Sequence, residues 1–124
     1  MNYAESLALR QRLKRRKAAH LKVLQREISR LASAAAAMGA KKVILFGSTS
    51  KGNAGIFSDL DLLIIMDSEL EFLKRTAEAY RQLKPEVGAD ILVYTPDELE
   101  RMLQDKNEFI RQALTEGQVL YEAE

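Results

Sequence analysis

The chain has 124 residues, 30% of them charged, with 19 Lys or Arg against 18 Asp or Glu and no cysteine. That length is one domain with a core of its own, and the missing cysteine excludes disulfides, thiolate metal sites and cysteine nucleophiles. No apolar run approaches the roughly 20 residues of a membrane span, and the polar N-terminus has no apolar leader region, so a soluble cytoplasmic protein is expected.

The net charge of +1 hides an asymmetry. Residues 1–42 carry eleven Lys or Arg against Glu5 and Glu27, whereas residues 43–124 carry eight against sixteen Asp or Glu. The balances are about +9 and −8, so the first third presents a different surface from the rest.

Residues from about Ser6 to Met38 read as one long helix, free of Pro and Gly and rich in Ala, Leu, Arg and Lys. Leu21, Leu24, Ile28, Leu31, Ala35 and Met38 form a stripe with 3-4 spacing, and Gly39 fits just past the helix end. The segment Arg10–Lys17 is charged on all sides and is expected to project from the body. His20, the single histidine, is read as a helix-surface residue. Beyond Gly39 strands alternate with helices. Strands are expected over Lys42–Phe46, Leu60–Met66 and Val87–Tyr94, with a short last strand at Val119–Tyr121. A helix over Ser68–Leu83 has Ser68 as its N-cap and Leu70, Leu73, Ala77, Tyr80 and Leu83 on its inner face. Thr95 caps a helix from Pro96, with Leu99, Met102 and Leu103 inward, and a further helix runs over Asn107–Glu116 to Gly117. The expected architecture is α+β: a three- to four-stranded mixed sheet with helices on one main face. The chain divides into an N-terminal helical extension (1–38) and a domain (39–124).

The richest stretch lies between the first two strands. Gly47-Ser48 follows Val43-Ile44-Leu45-Phe46, and ten residues later Asp59-Leu60-Asp61 leads into Leu62-Leu63-Ile64-Ile65-Met66. Small residues let backbone N–H groups approach phosphate oxygens. Carboxylates two apart on a strand point to one face and can hold a divalent cation together. Asp90 stands in the third strand, next to Ile91-Leu92-Val93, where an unpartnered aspartate is costly. Any one of these aspartates alone reads as a solvated turn or strand-end residue. If strands two and three are neighbours, the three carboxylates form one cluster, whose repulsion divalent cations relieve, and two ions can serve phosphoryl transfer. Other motifs fail. Gly47–Gly52 has P-loop glycine spacing, but Asn53-Ala54 replace the Lys and Ser or Thr, Leu63 and Ile64 break an EF-hand reading, and no dinucleotide fingerprint occurs. His20 is too remote from Ser48 to support a hydrolase triad.

Gly47-Ser48, ten residues, then Asp59-Leu60-Asp61, with Asp90 as a third carboxylate, resembles the signature of the nucleotidyltransferase superfamily related to DNA polymerase beta. The resemblance covers roughly residues 40–95, and the short chain resembles the minimal nucleotidyltransferases, which include antitoxins paired with HEPN-domain toxins. It implies the polymerase beta-like fold. It also implies that Gly47 and Ser48 bind the triphosphate of ATP or another NTP, that Asp59 and Asp61 bind Mg²⁺ (two ions), and that Asp90 completes the metal site and acts as base. Lys51 falls where relatives carry a basic residue; it either touches phosphate or stands solvated. The implied activity is transfer of AMP from ATP to a hydroxyl, such as a tyrosine of a HEPN toxin, by a domain expected to borrow its acceptor surface from a partner chain or from a second copy of itself. The other reading is an antitoxin that neutralises a HEPN ribonuclease by contact alone. A homo-oligomer formed through the N-terminal helix is a further expectation. Nucleic acid is not an expected partner, because the basic segment lacks interleaved aromatics.

Overall fold

Asn2 and Glu5 start the first helix by exchanging hydrogen bonds: Glu5 N donates to Asn2 Oδ1 at 2.8 Å and Asn2 N to Glu5 Oε2 at 3.2 Å. This capping box satisfies two of the amides a helix start leaves open. In the computed structural model, which describes residues 1–47 and 60–124, helix α1 then runs unbroken over Tyr3–Ala37. Its end is closed by Gly39 at φ +104°. Gly39 N donates to Ala36 O and Ala40 N to Ala35 O, the paired bonds of a glycine-terminated helix. At about 1.5 Å per residue the 35 residues span about 52 Å. Nearly every residue from Tyr3 to Ala19 is exposed, whereas Leu24, Leu31 and Ala35 are buried.

The remaining elements are β1 (Lys42–Phe46), β2 (Leu60–Ile65), α2 (Phe72–Leu83), β3 (Ala89–Tyr94), α3 (Pro96–Gln104), α4 (Glu108–Glu116) and β4 (Gln118–Glu122). The four strands form one mixed sheet in the order β3-β2-β1-β4. β1 pairs antiparallel with β2 and β4, and β2 pairs parallel with β3 across the α2 crossover. This is the four-stranded form of the expected mixed α+β architecture. β2 is buried on both faces, which accounts for its almost unbroken apolar run. Leu60, Leu62 and Ile64 join Val43, Leu45, Ile91 and Val93 in the core under α1 and α2. Leu63 and Ile65, with Ile44, form a second cluster with Ala113 and Leu114 of α4 and Leu99 of α3. Helices therefore cover both sheet faces, not one.

Several local expectations shift. Ser68 does not cap α2: its Oγ accepts from Leu70 N at 3.1 Å in a turn, and the helix begins four residues later with Glu71 at the cap. The inner face of α2 accordingly runs through Phe72, Arg75, Ala79 and Leu83, while Leu73 is 75% exposed. Leu103 also faces solvent. The ladder of β3 begins at Ala89, with Val87 packed on the core ahead of it. His20 is half-buried, and its Nε2 is buried with no hydrogen bond among the described residues.

One charged cluster locks α1 to the rest. Glu27 is only 3% exposed, and its carboxylate accepts from Arg30 Nε at 2.5 Å, Arg30 Nη2 at 3.0 Å and the Glu86 amide. Arg30 in turn donates to the carbonyls of Leu83 and Lys84, each at 3.0 Å. These carbonyls lie at the C-terminus of α2, where Lys84 takes φ +44° to turn the chain. A cation there completes acceptors the helix cannot satisfy itself.

Candidate active site

The end of β1 and the starts of β2 and β3 meet at one end of the sheet. Phe46 is the register partner of Asp61, and Asp61 is the register partner of Asp90. In a parallel pair, register partners leave the sheet on the same side, about 4.8 Å apart. The side is fixed by their strand neighbours: Leu63 and Leu92 two residues on both pack in the cluster beneath α4. The structure thus brings Asp61 and Asp90 together at the sheet end, Asp61 half-buried and Asp90 exposed.

Gly47 abuts this pair. Its φ is +80°, a region L side chains rarely adopt, and a Cβ built on it would stand 2.5 Å from Asp61 Oδ2. Only glycine lets the backbone pass so close to that carboxylate. Ser48, Lys51 and Asp59, the other residues singled out in the sequence, lie outside the described residues.

An open cleft of about 330 Å³ spans the carboxylates, lined by Phe46, Asp61, Thr76, Tyr80, Asp90, Ile91, Leu92 and Phe109. Phe46 and Phe109 meet edge to face, 5.4 Å between centroids, and form its apolar wall. On the Gly47 side of that wall a second cleft of about 250 Å³ runs along α4 past Gln112 and Glu116. Phe109 is 48% exposed. An aromatic half in water beside two carboxylates offers a planar ligand a face. Sequence reasoning did not select it, although an aromatic two residues after the Asn107 cap, where helix starts are usually polar, is a detectable signal.

The edge strand β3 is held from outside by α2. Its odd-numbered backbone groups face away from β2, since Leu60 N and Met66 N take the even-numbered Gly88 and Tyr94 carbonyls. Arg75, 4% exposed, donates to Val93 O at 2.8 Å, to Leu70 O at 2.8 Å and to Glu98 Oε1 at 2.6 Å. Glu98 belongs to the capping box that Thr95 makes at the start of α3. Burial raises the Glu98 pKa, but the bonds from Arg75 and the Thr95 amide outweigh it and hold the carboxyl below its usual range. The pair is structural and ties α2, β3 and α3 into one support for the strand that carries Asp90.

Two carboxylates on one face suit Mg²⁺, which is commonly bound through one or two carboxylates together with substrate phosphates. Among the described residues no cluster of three or more His, Asp or Glu is formed, and none of their helices is long and apolar enough to cross a membrane.

Comparison with known proteins adds one finding: the family model for the nucleotidyltransferase domain matches residues 21–120. That span takes in the packed half of α1 and ends within β4. No curated protein and no solved structure matches the chain.

Proposed function

We propose, for a chain that belongs to the nucleotidyltransferase domain family, that the group it moves is AMP, taken from ATP and placed on a hydroxyl of a partner protein. The observation that carries the reading is the juxtaposition of Asp61, Asp90 and Gly47 at one sheet end. In the proposed reaction the acceptor oxygen bonds to the α-phosphorus, the bond from that phosphorus to the bridging oxygen breaks, and pyrophosphate leaves. Asp90, exposed at the cleft mouth, takes the hydroxyl proton. Asp61, with Asp59, would hold the metal; Gly47 and Ser48 would bind the triphosphate, and Lys51 would add positive charge to that site. Mg²⁺, when bound, supplies charge neutralisation for the phosphates and the leaving group. Little covalent chemistry is asked of the protein, because phosphoryl transfer is governed by positioning and electrostatics.

The acceptor we propose is a tyrosine of a HEPN-domain toxin. The basic half of α1 supports a protein acceptor, since it offers a long charged surface that is exposed among the described residues. The same arm favours a second reading, neutralisation of such a toxin by binding, with transfer secondary. Incubation with labelled ATP, Mg²⁺ and the co-purified partner tests both. Asp61→Asn and Asp90→Asn are expected to abolish labelling while the chain still folds, as read from its melting curve. Labelling by the variants equal to that by the native chain would remove the enzyme reading. Complex formation without labelling would leave binding alone.

A further inference from the structure

The side-chain hydroxyl of Tyr80 sits where a fifth strand would bond. It donates to Ala89 O at 2.8 Å and accepts from Ile91 N at 2.8 Å. Those are the outward-facing backbone groups on either side of Asp90, on the edge of β3 that pairs with no other strand among the described residues. Edge strands fray because half their backbone groups lack partners, and the first residues of an edge strand are the ones freest to move. Asp90 is the second residue of β3, and its register with Asp61 depends on the strand holding to β2 at that point. Tyr80 comes from the third turn of α2, a helix bound to the core through Ala79 and Leu83, and its ring packs against that core. One hydroxyl, on a ring with two rotatable bonds, thus joins a rigid helix to both backbone neighbours of a carboxylate.

We infer that Tyr80 is a positioning residue for the carboxylate pair: its hydroxyl pins the start of β3 so that Asp90 stands in register beside Asp61. The inference rests on the metal-binding reading of that pair. Tyr80 also lines the cleft that contains both aspartates, but its hydroxyl is engaged by backbone on both sides, so its action is through the strand. Groups that orient metal ligands typically change metal affinity or activity by about 10–100-fold when removed. A carboxylate on an otherwise fraying edge is where such support matters most.

The test uses the full chain and Mn²⁺ as the probe, followed by calorimetry and by paramagnetic broadening of backbone amides. Tyr80→Phe keeps the ring and removes the hydroxyl. It is expected to raise the Mn²⁺ dissociation constant by roughly tenfold and to speed exchange of the Ile91 amide. The decisive comparison repeats the substitution in an Asp90→Asn background. There Tyr80→Phe is expected to change Mn²⁺ affinity less than about twofold, because the group it positions is no longer a carboxylate. Leu120→Ala, which loosens the core from the distant strand β4, serves as a destabilised control and is expected to leave Mn²⁺ affinity unchanged. An unchanged affinity in Tyr80→Phe, an unchanged Ile91 exchange rate, or the same loss in both backgrounds would overturn the inference. Failure of the native chain to bind Mn²⁺ is a separate result: it overturns the metal reading of Asp61 and Asp90, and the role of Tyr80 with it.

Discussion

Replacing Glu27 by Gln tests whether the buried carboxylate on α1 holds the two halves of the molecule together. In the native chain three donors converge on its two oxygens: Arg30 Nε, Arg30 Nη2 and the Glu86 amide. Glutamine has one acceptor oxygen, so its NH₂ must face either the guanidinium or the amide. At least one bond to a charged group is lost, and such bonds contribute about 1.5–3 kcal/mol each. Arg30 is 41% exposed and regains water, which keeps the loss below the about 3–5 kcal/mol seen when a fully buried pair is broken. The expected loss is about 2–3 kcal/mol, a fall in melting temperature of about 8–12 °C for a domain of this size. The pH dependence is specific. The hydrogen bond from Arg30, joined by the Glu86 amide, outweighs burial and holds the Glu27 carboxyl below its usual 4.5. The unfolded chain therefore binds that proton first as pH falls, and the contribution, complete above the unfolded value, disappears as pH drops through the folded one. Thermal melts of both chains from pH 7 to about pH 3 are the assay, with the gap between them closing in acid. A gap under about 3 °C at neutral pH, or one that stays constant into acid, would refute the reasoning.

Gly47→Ala is expected to cost about 1–2 kcal/mol through its positive φ and to lower nucleotidyl transfer by roughly 10–100-fold by displacing the Asp61 carboxylate, as read from turnover and Mn²⁺ affinity. Gly117→Ala places a Cβ 2.3 Å from Ala113 O and 2.6 Å from Ile44 Cγ2, so a chemical melt should show a loss of about 2–3 kcal/mol with the carboxylate pair untouched. Glu78 lies at the surface, 38% exposed, and its bonds from Arg81 and Gln82 bring its pKa down to about 2; Glu78→Gln should nevertheless leave the melting temperature unchanged, because surface pairs on a helix are screened. A chain starting at residue 20 should keep the native melting temperature within a few degrees, whereas one starting at Gly39 should not fold, because Leu24, Leu31 and Ala35 belong to the central core.

The carboxylate pair was legible because aspartates interrupting apolar strands stand out, and because one apolar run buried on both faces is the usual mark of an inner strand. Their register followed once β2 and β3 proved adjacent. The stripe on α1 was legible for a like reason: its apolar positions keep helical spacing, and Leu24, Leu31 and Ala35 are buried as that spacing requires. Glu27 and Arg75 were not. Each occupies a stripe position, three residues after Leu24 and Phe72, but periodicity counts apolar side chains only. Their partners are the Glu86 amide and the Val93 carbonyl, 59 and 18 residues away, which no local pattern reveals. Leu73 and Leu103 erred in the opposite sense, as apolar residues on helices whose inner faces were already filled. Ser68 has the chemistry of a helix cap, but Glu69 and Leu70 turn before Phe72 stacks on Tyr94 and the helix begins.

The two borders of the sheet are not equivalent in what they offer to a neighbouring molecule at high concentration. On the β3 side Tyr80 and Arg75 already occupy the outward backbone groups of Ala89, Ile91 and Val93, so an extended segment from another chain finds few bonds to make there. On the other side β4 is five residues long, ends on Glu122 and turns Val119 outward. Shortness and acidic charge are the ordinary protections of such a border against strand-by-strand aggregation. The molecule guards one flank with helix side chains and the other with brevity, and it is the second that a single substitution, Glu122→Val, would open to fibril-like pairing.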